Sequence, residues 1–165
     1  MIELLVFDVD GTLTNGDIMY SSDLQEFKTF NVNDGFAIVF WTKHLGKKAA
    51  IITGRESKIV EHRAKELKIE YLYQNVKDKL KVLDEILEKE GLNYSQVAII
   101  GDDLNDIKML KKAALSFAPK DAQKLVKQSV NVVCKKKGGK GAAREMIEYI
   151  LKEDGLEEEF LKQWL

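Results

Sequence analysis

Short apolar runs alternate with amphipathic segments along nearly the whole chain. The runs IELLVFD (residues 2–8), KAAII (48–52) and VAII (97–100) carry almost no polar interruption, the pattern of strands covered on both faces. Further strands are predicted over 70–74, 114–118 and 130–134. Between them, apolar positions recur at helical spacing over about 34–45, 56–67, 76–90, 104–111, 120–127 and 141–152. The stretch DIMYSSDLQEFKTF alternates instead, and predicts a short hairpin turning near Ser21–Asp23. GLEEEFLKQWL, at the end, reads as a short amphipathic tail over about 154–165. Strands alternating with helices imply parallel strands joined by right-handed crossovers. The expectation is therefore an α/β fold: a Rossmann-like, doubly wound parallel sheet with helices on both faces. A small β-hairpin is inserted after the first strand, over about 12–30, and residues 1–165 form a single domain.

Composition narrows this picture. A chain of 165 residues suits one domain with a real core. No segment approaches the length of a membrane span, and the start shows no secretory signal. Cys134 is the only cysteine, which rules out an intrachain disulfide and suits a reducing cytoplasm. Its side chain reads as a small buried apolar group. Lys and Arg number 26 against 27 Asp and Glu, without the basic excess of a dedicated nucleic-acid binder.

Open parallel sheets bind ligands at the carboxyl ends of their strands. Three polar clusters fall there: DVDGT after the first strand, TGR after the second, and GDD after VAII. Alternation along a strand would turn Asp8 and Asp10 to one side and Val9 to the other. Asp102 and Asp103 leave another strand end and can meet them. So many carboxylates in one place call for a hard divalent cation, and the lack of an accompanying His or Cys favours Mg²⁺ over zinc. Taken singly, these residues have plainer readings. An Asp after a strand, Thr53, Asp103 or Asn105 could each cap a helix; Lys79 could be a solvated face residue; His44 and His62 read as surface or interface residues.

The joint arrangement is more specific. DVDGT resembles the nucleophile motif of the haloacid dehalogenase superfamily, and Thr53 with Gly54, Lys79 and GDDLND resemble its other three motifs, in order. What the resemblance implies is phosphoryl transfer through an aspartyl-phosphate. Asp8 would be the nucleophile, and Asp10 would protonate the leaving alkoxide and then activate water. Thr53 and Lys79 would neutralise and bind the phosphoryl oxygens. Asp8, the backbone carbonyl of Asp10 and Asp102 would hold Mg²⁺, supported by Asp103 and Asp106. Superfamily members usually carry a cap domain, and here the spacing leaves no room for one.

A narrower resemblance covers residues 2 to about 153. The stretches DGTLTNGDIMY, FNVNDGFAI, AIITGRESKIVEHRAKELKI, KDKLKVLDEIL, VAIIGDDLNDIKML and GGKGAAREMIEYIL look like the capless 3-deoxy-D-manno-octulosonate 8-phosphate (KDO 8-phosphate) phosphatases. That likeness implies hydrolysis of KDO 8-phosphate to KDO and phosphate in lipopolysaccharide synthesis. It also implies a homotetramer, its hairpins gathered on a central axis and each active site completed by a neighbour. Substrate contacts would fall on Asp10, Asn31, Val32, Asn33, Asp34, Gly35, Thr53, Gly54, Arg55, Arg63 and Lys79. Exposed Ile18, Tyr20, Phe27 and Phe30 would be a liability on a lone hairpin, and oligomerisation would cover them. Alternatives are a phosphatase for a related nine-carbon sugar-acid phosphate and a non-catalytic oligomeric binding module.

Departures from the family pattern are Thr12 for a common valine, Asn75 for a usual glycine, and IKML after GDDLND. CKKKGGKGAARE has three readings: a near miss to the dinucleotide fingerprint with Arg144 at the third glycine position, a plain solvent-facing basic turn, or a segment reaching toward an adjacent active site with Arg144 helping.

Overall fold

The computed structural model describes residues 1–162 and 164–165. Its central sheet is parallel throughout and has the order β5-β4-β1-β6-β7-β8. The strands are β1 (Leu4–Phe7), β4 (Lys48–Ile52), β5 (Tyr71–Tyr73), β6 (Val97–Ile100), β7 (Leu115–Ala118) and β8 (Val132–Val133). Strand β1 pairs with β4 on one side and β6 on the other, so Leu5 lies opposite both Ala49 and Ala98. From β1 the chain builds outward through β4 and β5, then crosses back to build β6, β7 and β8. The reversal opens a crevice at the carboxyl ends of β1 and β6, the place where such sheets take ligands.

Both faces of the sheet are covered, which is why its strands read as unbroken apolar runs. Leu5 and Phe7 belong to the core beneath α1 (Val32–Val39) and α6 (Ala142–Glu153), while Leu4 and Val6 face α3 (Lys79–Glu90) and α4 (Ile107–Leu110). Helix α2 (Lys58–Glu66) begins at Ser57, whose hydroxyl accepts from the Ile59 N–H, and short α5 (Lys124–Lys127) follows β7. The predicted tail folds into α7 (Glu157–Lys162) and buries Phe160 edge-on against Phe36 and Phe40. Among the described residues no helix is long and apolar enough to cross a membrane.

The hairpin forms where the alternation predicts it. Strands β2 (Met19–Tyr20) and β3 (Glu26–Phe27) are antiparallel, and the Leu24 N–H closes the turn onto the Ser21 carbonyl. Ile18, Met19, Tyr20, Leu24 and Phe27 are exposed on it. Phe30 departs from expectation: it packs half-buried against the core, beneath the Arg63 guanidinium. Other differences concern boundaries. The helix expected over 34–45 starts earlier, capped by Asn31, and ends in a π-turn at Phe40–His44. The one expected over 104–111 splits into a 3₁₀ turn, Leu104–Asp106, and α4.

Candidate active site

Strand β1 stops at Phe7, and the next seven residues wrap into a tight loop. The Val9 carbonyl accepts from the N–H groups of Thr12, Leu13 and Thr14, and the Thr14 hydroxyl accepts from Gly11 and Gly16. Gly11 has φ of +93°, and a Cβ there would fall 2.1 Å from an Asp102 carboxylate oxygen. The glycine of DVDGT therefore makes room for the acidic cluster itself.

The buttress of this loop comes from the far end of the chain. Gly138 and Gly139 are buried, a Cβ on Gly138 would fall 1.8 Å from the Gly11 carbonyl oxygen, and the Gly139 N–H donates to the Thr12 carbonyl at 2.9 Å. The glycines of CKKKGGKGAARE are thus neither a dinucleotide cradle nor plain surface: they are packed on the DVDGT turn, and only the surrounding lysines face solvent.

Four charged side chains from four elements meet at the crevice. Asp8, just past β1, lies 2.6 Å from the Lys79 Nζ, and the same ammonium lies 2.6 Å from Asp106. Lys79 is 2% exposed, so the solvated reading of it fails. The Asp78 cap starts α3 at that position and turns the side chain inward. Asp106 spends its other oxygen on the Asp102 and Asp103 N–H groups, and Gly101 must lack a Cβ to let it approach. Asp102 completes the group, its carboxylate accepting from the Thr12 hydroxyl at 3.4 Å. Oxygens of Asp8, Asp102 and Asp106 all lie within 4.8 Å of one another.

Such crowding has electrostatic consequences. Burial, then the Asp106 charge, push the Asp8 carboxyl well above its ordinary range against the pull of Lys79. Burial and Asp106 likewise raise Asp102, to about 6. Burial opposes the charge on Lys79, but Asp8 and Asp106 outweigh it and hold its pKa above normal. One lysine thus leaves the three carboxylates under-neutralised. The donor set is all oxygen, with neither His nor Cys among the described residues of the cluster. It fits a hard divalent cation.

Not every expected residue joins this cluster. Asp10 lies in the turn beyond β1, where strand alternation no longer holds, and its carboxylate pairs with the hairpin: 2.5 Å to Lys28 Nζ and 3.6 Å to Arg55. Asp103 is exposed and caps the Leu104–Asp106 turn through the Leu104 N–H. Its plainer reading is the one that fits. Asp34 is 2% exposed, and its carboxylate accepts from the Gly141 and Arg144 N–H groups at the start of α6. It joins α1 to α6 and presents no carboxylate to a substrate. Asn31 spends its side chain on the Asn33 N–H, while Val32 is exposed. Arg63 reaches the Asn31 carbonyl at 3.4 Å and lies so close to Gly35 that a Cβ there would fall 2.5 Å from the guanidinium. Arg144 is tied to Glu148 at 2.6 Å and stacks on Phe36. Thr53 is buried at the end of β4, held by backbone bonds to Tyr73 and Val76; Gly54 meets only ordinary contacts. Asn75 has φ of +54°, a conformation glycine favours and asparagine tolerates.

Lys28 was not singled out by sequence reasoning, although its side chain is almost fully buried against Asp10. A lone lysine between Phe27 and Thr29 in a hairpin carries no signal by itself. Its position opposite DVDGT exists only in the fold.

This fold and acidic cluster define a class. Residues 72–146 match the haloacid dehalogenase-like hydrolase family. Over 155 residues the chain is 40% identical to 3-deoxy-D-manno-octulosonate 8-phosphate phosphatase KdsC of Escherichia coli, covering 93% of this chain and 81% of that one. Among solved structures, the Moraxella catarrhalis 3-deoxy-D-manno-octulosonate 8-phosphate phosphatase in complex with magnesium ion, phosphate ion and KDO superposes with a TM-score of 0.96 at 38% identity, over 99% of this chain and 94% of that one. The cobalt-bound Haemophilus influenzae deoxy-D-mannose-octulosonate 8-phosphate phosphatase gives 0.89 at 33% identity, over 94% and 91%. The chain belongs to the KDO 8-phosphate phosphatase family of haloacid dehalogenase-like hydrolases.

Proposed function

We propose that this protein hydrolyses KDO 8-phosphate to KDO and inorganic phosphate, with Mg²⁺ as cofactor, in the cytoplasm as a step of lipopolysaccharide synthesis. The observation that carries this reading is the buried Asp8 carboxylate, fixed by Lys79 at the mouth of the crevice and faced by Asp102. It supports a nucleophile that is oriented by Lys79 and sheltered from bulk water.

An Asp8 oxygen attacks phosphorus, and the bond from phosphorus to the sugar oxygen breaks. The departing oxygen takes a proton from the Asp10 carboxylic acid. Water then attacks the phosphorus of the aspartyl-phosphate, gives a proton to the Asp10 carboxylate, and the Asp8–phosphorus bond breaks to release phosphate. Asp10 thus ends each cycle in its starting form. Lys79 and the Thr53 hydroxyl offset charge on the transferring oxygens. Asp8, Asp102 and the Asp10 carbonyl would hold Mg²⁺, which when bound would supply further neutralisation of that charge. Asp106 holds Lys79 and the 102–103 backbone in place.

Recognition of the sugar acid falls to Arg55 and Arg63, whose planar guanidinium groups match a carboxylate. The exposed hairpin surface of Ile18, Met19, Tyr20 and Phe27 supports a homotetramer with hairpins at its centre, in which a neighbour completes each site. A phosphate-release screen tests the reading. KDO 8-phosphate should outrun nine-carbon sugar-acid phosphates, and both should outrun sugar phosphates without a carboxylate; no release from any of them would leave a binding module. Arg55→Ala should cut turnover of KDO 8-phosphate more than that of an aryl phosphate, and equal losses would remove Arg55 from acid recognition.

The cation also predicts a pH signature. A carboxyl raised in the folded state stabilises the fold below its unfolded pKa, and that contribution is lost as pH rises through the folded value. For Asp102 the loss runs from the ordinary 3.8 to about 6, with Asp8 acting in the same direction. Added Mg²⁺ should therefore raise the melting temperature more near pH 7 than near pH 5. A shift independent of pH, read by calorimetry, would place the ion elsewhere.

A further inference from the structure

Arg55 is already engaged. Its Nη2 lies 3.0 Å from Glu26 Oε1 and 3.3 Å from the Tyr20 hydroxyl, and Lys28 Nζ approaches the same Glu26 oxygen at 3.3 Å. One carboxylate oxygen is thus gripped between a guanidinium and an ammonium, both beside Asp10. Burial works against the Glu26 charge, but Lys28 and Arg55 outweigh it and hold the group below its ordinary range.

The grip is imperfect. Glu26 Oε1 and Arg55 Nη1 are both buried without a hydrogen-bond partner, so the ion contacts lack hydrogen-bonding geometry. Structural ion pairs in a folded interior ordinarily satisfy these atoms. Glu26 is tethered to the hairpin backbone, in β3 opposite Tyr20, and meets the fork through one oxygen at Nη2. A free carboxylate has no such tether.

Resting on the sugar-acid reading above, we propose that Glu26 is an internal occupant of the seat for the substrate's carboxylate, that Arg55 and Lys28 together form that seat, and that the incoming sugar acid displaces Glu26 by anion exchange. Lys28 and Glu26 are then specificity-determining residues. The exchange conserves charge at the seat and replaces a contact that leaves Glu26 Oε1 and Arg55 Nη1 without hydrogen bonds by a bidentate one. A phosphate ester lacking the carboxylate has nothing to offer in exchange, and binds with Glu26 still seated. The hairpin thereby rewards the acid end of the substrate at a point next to the residue that handles the leaving-group proton.

The test compares KDO 8-phosphate with glycerol 3-phosphate as substrates of Glu26→Ala and of Glu26→Gln, which keeps the shape and drops the charge. Removing the competitor should lower KM for KDO 8-phosphate by about two- to fivefold, the worth of a partly exposed ion pair. No matching fall should occur for glycerol 3-phosphate, and the gain should vanish when Arg55→Ala is combined with Glu26→Ala. An unchanged or raised KM for the sugar acid overturns the proposal, as does an equal fall for both substrates. If the unmodified enzyme shows no preference for KDO 8-phosphate, the sugar-acid reading itself fails and the seat goes with it. A retained preference with an unmoved KM overturns the seat alone.

Discussion

Asp8→Asn should leave the chain folded and stop phosphate release. The amide has the shape of the carboxylate and can still accept from the Lys79 ammonium, which keeps its bond to Asp106. It cannot form the acyl-phosphate bond. Losing the covalent route should reduce turnover by about 10⁴-fold or more, on the order of 5 kcal/mol in the barrier. Stability should hold or rise, because one of three crowded, desolvated carboxylates is neutralised. Phosphate release, a melting curve and a search for phosphate covalently bound to the quenched enzyme read these effects separately. Retained hydrolysis, or a phosphoenzyme in the variant, would remove Asp8 from the nucleophile's role.

Lys79→Met should be costly in both activity and stability. The side chain is of similar length, so the packing survives, but the ammonium that serves Asp8 and Asp106 disappears. Removing one partner from a buried ion pair typically costs about 3–5 kcal/mol, because the other partner stays buried and unpaired. Protonation of the stranded carboxylates limits the damage, and they protonate more readily at low pH. The destabilisation should therefore grow as pH rises from about 5 to about 8. Turnover should fall by roughly 10²- to 10³-fold through lost charge stabilisation of the transferring group. Urea unfolding at several pH values, beside phosphate release, measures both. A loss of stability below about 1 kcal/mol at neutral pH would mean that water or another cation already shields the two aspartates.

Much of this protein was legible as a string. The apolar runs ending in DVDGT and in GDD identify two buried strands whose ends carry acid, since alternation with helical segments forces the strands parallel and puts those ends at one edge. The hairpin and the cation preference follow from residue type and local spacing, and the four motif positions from resemblance to the haloacid dehalogenase superfamily. What spacing could not carry is partnership across the fold. Lys79 meets Asp8 from 71 positions away, and only the sheet order brings α3 over the end of β1. Strand alternation placed Asp10 beside Asp8, yet the chain turns after Phe7 and leaves Asp10 to Lys28 and Arg55. Asp34 and Asp103 look like ligands in one dimension, and in three they satisfy helix N–H groups. The basic glycine turn before α6 matched no motif cleanly because its purpose is steric: Gly138 leaves room for the Gly11 carbonyl. Local periodicity and residue chemistry determined the sheet and its acidic edge, and family resemblance supplied the class of reaction. Which charges meet, and which are withdrawn to hold the backbone, was decided only by packing, since charge interactions depend on separation and burial in space.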